Sequence, residues 1–385
     1  MATYKTPGVY IEEVPKFPFS IAQEPSSVVA FIGYTTVTAD NEGNSILLFP
    51  KQIRSWNDFV RIFGNDPSLK YLANAVSLFY TNGGGDCYVI SVGSVNEPAA
   101  LSSLVNGLNR SKEIRVQLIV IPDACLLSSQ DFYDLQKQTL ASCSALQDRF
   151  AIIDTLKPSA DTGSDSSLFR AGIGNDNLTW GAAYYPWLVL TDRRYVPPSG
   201  AIAGIYTMFD NNRGVWKAPA NVSLAGAADL AVHINNDQQT DLTMPVDGKA
   251  INAIRVFAGM GLLVWGARTL DGNSLDWKYI NVRRTITMIE NSIKNGSSWV
   301  VFEPNDANTW VRVKSMIENY LTLLWRDGAL QGAKPEEAFD VQIGLGSTMT
   351  ASDILEGRLA VTIKLAVVRP AEFIMISFVH KMQQS

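Results

Sequence analysis

The run RVQLIVIPD (residues 115–123), then SQDFYDLQKQTLASCSAL (129–146), then RFAIIDTL (149–156), decides the fold class. The outer pieces are short apolar runs rich in Val and Ile, and the middle one has helical length. Strand, helix, strand in that order is the unit of a parallel sheet, so an α/β layer is expected. Upstream the same alternation runs from 27 to 91: SVVAFIGYT as a strand, SWNDFVRIFG and LKYLANAVSLFYTNGGG as helices, CYVISVG as a strand. Asn82-Gly83-Gly84-Gly85 reads as a helix stop, because glycine takes the left-handed conformation that closes a helix. A phosphate cradle is disfavoured there, since such loops precede a helix, whereas here a strand and Asp86 follow.

Downstream, residues 157–180 are rich in Ser, Gly, Asp and Asn and are expected to form an exposed loop. AAYYPWLVLTD reads as a strand, SGAIAGIYTMFDNNRG as a close-packed helix, and AGMGLLVWGA (258–267) as a buried strand. That last stretch is too short to span a bilayer, which needs roughly 20 apolar residues. NVRRTITMIENSIKNG places Val282, Ile286, Ile289 and Ile293 at helical spacing. SSWVVFEPND is expected to be a short strand. NTWVRVKSMIENYLTLLWRDG follows as a helix with an apolar stripe of Trp310, Val313, Ile317, Tyr320, Leu321 and Leu324. Its opposite face carries Arg312, Ser315, Asn319, Thr322 and Arg326, two cations and no acid. RLAVTIKLAVV alternates as a half-buried strand does.

The 385 residues are 46% hydrophobic with a net charge of −5, which indicates a folded chain and argues against nucleic-acid binding through a net positive field. Residues 1–247 carry a net −7 and 248–385 a net +2, so the two parts are expected to face different partners. The first thirty residues lack a secretory signal, which makes cytoplasmic synthesis the default. Cys87, Cys125 and Cys143 have no CxxC spacing and read as buried apolar residues. His233 and His380 sit in no ligand spacing, and there is no GxSxG elbow, so neither a metal site nor a Ser-His-Asp enzyme is expected. The adjacent pairs Glu12-Glu13 and Glu336-Glu337 cannot share acid/base work, because neighbouring side chains diverge in a strand or a helix. The tryptophans fall within apolar patterns and read as core packing. No cofactor is implied.

The chain ends remain. TPGVYIEEV (6–14) reads as a strand, with Val9, Tyr10, Ile11, Glu12 and Val14 as candidate pairing residues. EFIMISFVH (372–380) has apolar residues on both faces: Phe373 and Met375 on one, Ile374, Ile376 and Phe378 on the other. A strand with no room in its own sheet can add to the edge of a neighbour's. Burying those five side chains contributes roughly 1.5–3 kcal/mol each, about 10 kcal/mol gross per arm before ordering costs.

TPGVYIEEV, FYTNGGGDCYVISV (79–92), INVRRTITMIENSIKNGSSWVVFEPNDANTWVRVKSMIENYLTLLWRDGALQGAKPEEAFDVQIG (280–344) and GRLAVTIKLAVVRPAEFIMISF (357–378) together resemble the tail sheath proteins of contractile phages and related injection systems. The length is similar to the short sheaths of extracellular systems such as the antifeeding prophage and Photorhabdus virulence cassettes. The resemblance implies a structural subunit, not an enzyme. Copies would stack as six-membered rings around an inner tube, on a baseplate and under a cap or terminator, and would contract to drive the tube through a target envelope. It implies no nucleic acid and no membrane insertion, with assembly in the bacterial cytoplasm into a phage tail-like particle that can be released. A tail terminator or cap is the alternative, and an α/β hydrolase-like enzyme a more distant one.

The implied organisation is an N-terminal arm (1–22), the first part of an α/β core (23–95), an outer subtilisin-like α/β domain without catalytic residues (96–247), an inner mixed α+β, tube-facing domain (248–370) and a C-terminal arm (371–385). Both arms would pair with a neighbour's sheet. The inner domain touches the tube electrostatically in such sheaths, which makes Arg312, Ser315, Asn319 and Arg326 the tube-contact candidates. The two arginines stand about 21 Å apart at ~1.5 Å per residue.

Overall fold

A computed structural model of the chain describes residues 20–66, 69–159 and 161–372. Its centre is a nine-stranded sheet. The strands in chain order are β1 (Val29–Thr35), β2 (Lys51–Ile53), β3 (Cys87–Ser94), β4 (Leu118–Val120), β5 (Phe150–Asp154), β6 (Gly181–Tyr185), β7 (Leu188–Val189), β8 (Tyr195–Val196), β9 (Val222–Ser223), β10 (Asp229–Leu230), β11 (Ile251–Phe257) and β12 (Gly261–Val264). The large sheet runs β2-β3-β1-β4-β5-β6-β11-β12-β9, while β10-β7-β8 form a small sheet beside it. Pairing is parallel from β3 through β1, β4, β5 and β6 to β11, and antiparallel at both margins. The strand–helix–strand reading of 115–156 is therefore correct. Because β11 and β12 belong to the same sheet as β1, this sheet extends across residues 95 and 247.

Parallel strands covered by helices on both faces bury both sets of alternating side chains. Val29, Phe31, Leu118, Val120, Phe150 and Ile152 enter one core, with helices Trp56–Phe63, Leu72–Thr81 and Ser199–Arg213. Ala30, Ile32, Ile119, Ala151 and Ile153 enter the other, with helices Leu101–Ser111, Ser129–Leu146 and Thr162–Ile173. The closest helix contact depends on two glycines: a Cβ on Gly200 or Gly204 would lie 2.2 Å from the Ala75 carbonyl oxygen or 2.4 Å from that of Phe79.

A third core lies under helices Ile280–Gly296 and Ala307–Arg326 and the hairpin of β13 (Phe339–Ile343) with β14 (Val361–Leu365). In β14, Val361, Ile363 and Leu365 are half-buried while Thr362 and Lys364 are exposed, as the alternation predicts.

Three expectations fail. Residues 162–173 are helical, not a loop, because the Asp161 carboxylate accepts the Gly163 N–H at 3.0 Å and Phe169 and Ile173, one turn apart, are buried in the core. Residues 258–267 are not one strand: Gly259 and Gly261, both at φ +78°, turn β11 into β12. SSWVVFEPND is not a strand either. Its backbone bonds close locally, Val300 N–H to Ser297 C=O and Glu303 N–H to Val300 C=O, each at 3.0 Å, around a short 3-10 turn at Ser298–Val300.

Candidate interaction site

The polar face of helix Ala307–Arg326 forms as its periodicity requires. Asp306 caps the helix by accepting the Thr309 N–H at 2.9 Å. Val313, Met316, Ile317, Tyr320, Leu321 and Leu324 are buried beneath it, and Trp310 is half-buried. Arg312, Ser315, Asn319 and Arg326 are exposed together on the other side, flanked by exposed Val311 and Leu323. The loop before the helix adds an acid that the helix sequence does not show. Glu303 reaches to 4.0 Å from Arg312, whose guanidinium also stacks over Trp299 at 4.6 Å. Arg312 is thus held against its own chain, and Arg326 carries the more open charge.

The arm residues Val9, Tyr10, Ile11, Glu12 and Val14, and Phe373, Ile374, Met375, Ile376 and Phe378, lie outside the described residues. The chain leading to each arm is described, and both roots are anchored on helix Ile280–Gly296. On the N-terminal side Ile21 packs into the third core over Gly296, where a Cβ would come within 2.8 Å of it. The Glu24 N–H donates to Ser292 Oγ at 2.9 Å, and Asn295 Nδ2 donates to Glu24 Oε1 at 2.8 Å. On the C-terminal side Arg268 grips Glu372 with two bonds, Nε to Oε1 at 2.8 Å and Nη2 to Oε2 at 2.6 Å. Tyr279 donates its hydroxyl to the same carboxylate at 3.1 Å, and Asn281 Nδ2 donates to the Val368 carbonyl at 3.0 Å. The bond to Glu372 holds the Arg268 guanidinium above its ordinary pKa.

The same helix is locked to the large sheet's body by two consecutive arginines. Arg283 lies between the rings of Trp180 and Trp277, 4.3 and 4.1 Å from their centres, and reaches Glu290. Burial pushes its pKa down and that of Glu290 up. Arg284 bonds the buried carboxylate of Asp210 and the Ser26 carbonyl, with the Tyr206 ring 4.6 Å away. None of these anchors was foreseen. The Arg283-Arg284 doublet inside an apolar helical pattern was the available signal.

Two carboxylates are buried at the C-terminal ends of the parallel strands, where α/β enzymes place their chemistry. Burial raises Asp123 to about 6, against the N–H bonds it accepts from Tyr34 and Tyr71. Burial raises Asp154 to about 7, against the bonds it accepts from the Ser199 N–H at 2.8 Å and hydroxyl at 2.5 Å. Ser199 is fully buried and directs its proton to Asp154, while His233 pairs with Asp229 on the surface. The groups are arranged as internal hydrogen bonding, not as a nucleophile with its base.

Against solved structures, the chain matches the sheath complex of an extracellular contractile injection system, PVC, in its contracted state, over 99% of both chains, with 33% identity and a TM-score of 0.78. The chain belongs to the contractile tail sheath family. The contracted helical sheath of the anti-feeding prophage is similar to this sheath protein, with 34% identity, a TM-score of 0.77 and coverage of 98% of this chain and 100% of that one. The phage tail sheath C-terminal domain model matches residues 273–381, the region of the third core.

Among curated proteins, the tail sheath protein of Vibrio phage KVP40 is 30% identical over 171 residues, 42% of this chain. The match spans only 25% of that relative and 19% of the tail sheath protein of Enterobacteria phage T4. A putative prophage major tail sheath protein of Pseudomonas aeruginosa (strain UCBPP-PA14) is 23% identical, covering 73% of this chain and 69% of that protein. The α/β class and the structural sheath assignment therefore stand. Among the described residues no helix is long and apolar enough to cross a membrane.

Proposed function

We propose that this protein polymerises as stacked six-membered rings around an inner tube, mounted on a baseplate, and that contraction of the stack drives the tube through a target cell envelope. The carrying observation is the match along essentially the whole chain to contracted sheaths of extracellular injection systems. The role is mechanical and needs no catalytic residue: the energy resides in a metastable packing of subunits that has a second, lower arrangement. Assembly takes place in the bacterial cytoplasm, and the finished particle acts outside the cell that made it.

The helices and hairpin of the third core face the tube, and the large sheet's body lies outside. The exposed polar face with Arg312, Ser315, Asn319 and Arg326 supports that orientation. Surface charges worth ~0–1 kcal/mol each guide assembly yet release during contraction. The arms of neighbouring copies add to the β13–β14 hairpin. Among the described residues this sheet has only two strands, so both of its outer edges offer unpaired backbone. Two strands alone are marginal in water, and added ones complete the layer.

Co-expression with its tube and baseplate, followed by electron microscopy, tests the reading. Long tubes that shorten on triggering are expected. Single rings would reassign the chain to a terminator or cap, and monomers under all conditions would refute polymerisation. Deleting 373–385 should leave a folded monomer that forms no tubes. Glu372 is kept in that deletion because it belongs to the subunit's own packing.

A further inference from the structure

Helix Ile280–Gly296 has seventeen residues, about 25 Å at ~1.5 Å per residue. The root of the N-terminal arm is fastened to its last two turns, through Ile21 on Gly296 and Glu24 on Ser292 and Asn295. The root of the C-terminal arm is fastened to its opposite end, through Glu372 on Tyr279 and Arg268 and through the Val368 carbonyl on Asn281. Between the two grips, Arg283 and Arg284 hold the helix sideways against Trp180, Trp277 and Asp210.

We propose that this helix is the strut through which pull on one arm of a subunit passes to the other, with Glu24 and Glu372 as the gripped residues. The inference rests on the arm-linked sheath reading. The two arms leave the subunit from opposite ends of one rigid element, so neighbours joined through them lie on a line that runs along the helix. A force entering at Glu372 meets a charged, bidentate bond before it meets any strand of the large sheet. It leaves through the bonds at Ser292 and Asn295 and the packing of Ile21. The path therefore bypasses the nine-stranded sheet, which stays folded while subunits are displaced. The middle of the helix cannot slide along its axis, because moving Arg283 would withdraw its guanidinium from between two indole rings, and moving Arg284 would leave Asp210 buried without its partner.

The test pulls the free full-length chain by handles at its two ends and records the lifetime of the intact state at constant force. Glu372→Gln keeps the size but removes the charge from the bidentate bond, and should shorten that lifetime at least about tenfold. Tyr279→Phe should give a smaller loss, and the pair Ser292→Ala with Asn295→Ala a loss comparable to Glu372→Gln. Lys364→Gln, on the exposed face of β14, serves as control and should leave the lifetime unchanged. Equal lifetimes for wild type and both grip variants would overturn the proposal, as would a first rupture that opens the large sheet. The measurement needs no assembly, so failure to form tubes would count against the sheath reading alone. In assembled particles, the grip variants should form tubes that break into segments on contraction. Unbroken contraction would also overturn the strut.

Discussion

Arg284 bonds Asp210 through both terminal guanidinium nitrogens, at 3.1 and 2.5 Å, with both side chains almost fully buried. The pair joins the helix that holds both arm roots to the end of the helix lining the main sheet. Such a pair gives weak net stability when intact, because desolvation offsets the attraction, but breaking it is costly.

Asp210→Ala, which strands the Arg284 charge, should lower the stability of the monomer by about 3–5 kcal/mol. Asp210→Leu combined with Arg284→Met should recover most of that loss, since no uncompensated charge remains. Urea denaturation of the three proteins measures the difference. A double variant no more stable than Asp210→Ala would show that geometry, and not the unpaired charge, sets the cost.

Gly204 is fixed by the approach of two helices. Gly204→Ala would push a methyl group to 2.4 Å from the Phe79 carbonyl oxygen, and the Asn82 side chain stands at 2.9 Å. Backbone cannot move aside as a flexible side chain can, so a destabilisation of about 1–3 kcal/mol or more is expected, despite alanine's better helix propensity. Thermal melting reads this directly. Gly85→Ala is the control, because its Cβ would sit 3.6 Å from a methyl carbon of Thr207.

Asp154 titrates near 7 in the folded chain against 3.8 as a free side chain, because burial disfavours its charge. The sign follows: the folded state binds the proton more tightly, so this contribution to stability is full below about pH 4 and is lost as pH rises to about 7. Each such group costs about 1.4 kcal/mol per pH unit while it titrates. Asp154→Asn keeps the shape and accepts the Ser199 N–H without a charge. The stability of the wild type relative to this variant should fall as pH rises from 4 to 7 and then level off. A difference independent of pH would mean that Asp154 stays ionised in the fold.

Arg326→Glu should weaken co-assembly with the tube several-fold at low salt, and the deficit should shrink as salt screens exposed charges. Arg312→Glu should also disturb the packing on Trp299 and the approach to Glu303, so part of its effect will appear in monomer stability. Arg326→Glu should leave the melting temperature within the ordinary surface range, about ±0.5 kcal/mol. Normal tube binding by Arg326→Glu would remove this face from the tube contact.

The sequence determined what local repetition can encode. The Val- and Ile-rich runs at 115–121 and 149–153 with a helix between them specified the parallel unit, and the spacing of Val313, Ile317, Tyr320 and Leu324 specified which face of helix Ala307–Arg326 is buried. These patterns depend on neighbours two to four residues away, and they survive whatever the rest of the chain does. The tertiary structure decided everything that depends on a distant partner. Residues 162–173 are helical because the core offers Phe169 and Ile173 a place, against a composition that favours a loop. Arg283 and Arg284 are buried because Trp180, Trp277 and Asp210 come to meet them. Glu372 is an anchor because Arg268, 104 residues earlier, lies beside it, and the chain at Ser26 is held by Arg284, 258 residues later. A charged side chain reads as solvent-facing in any local window, and only the folded arrangement supplies the partner that makes its burial stable.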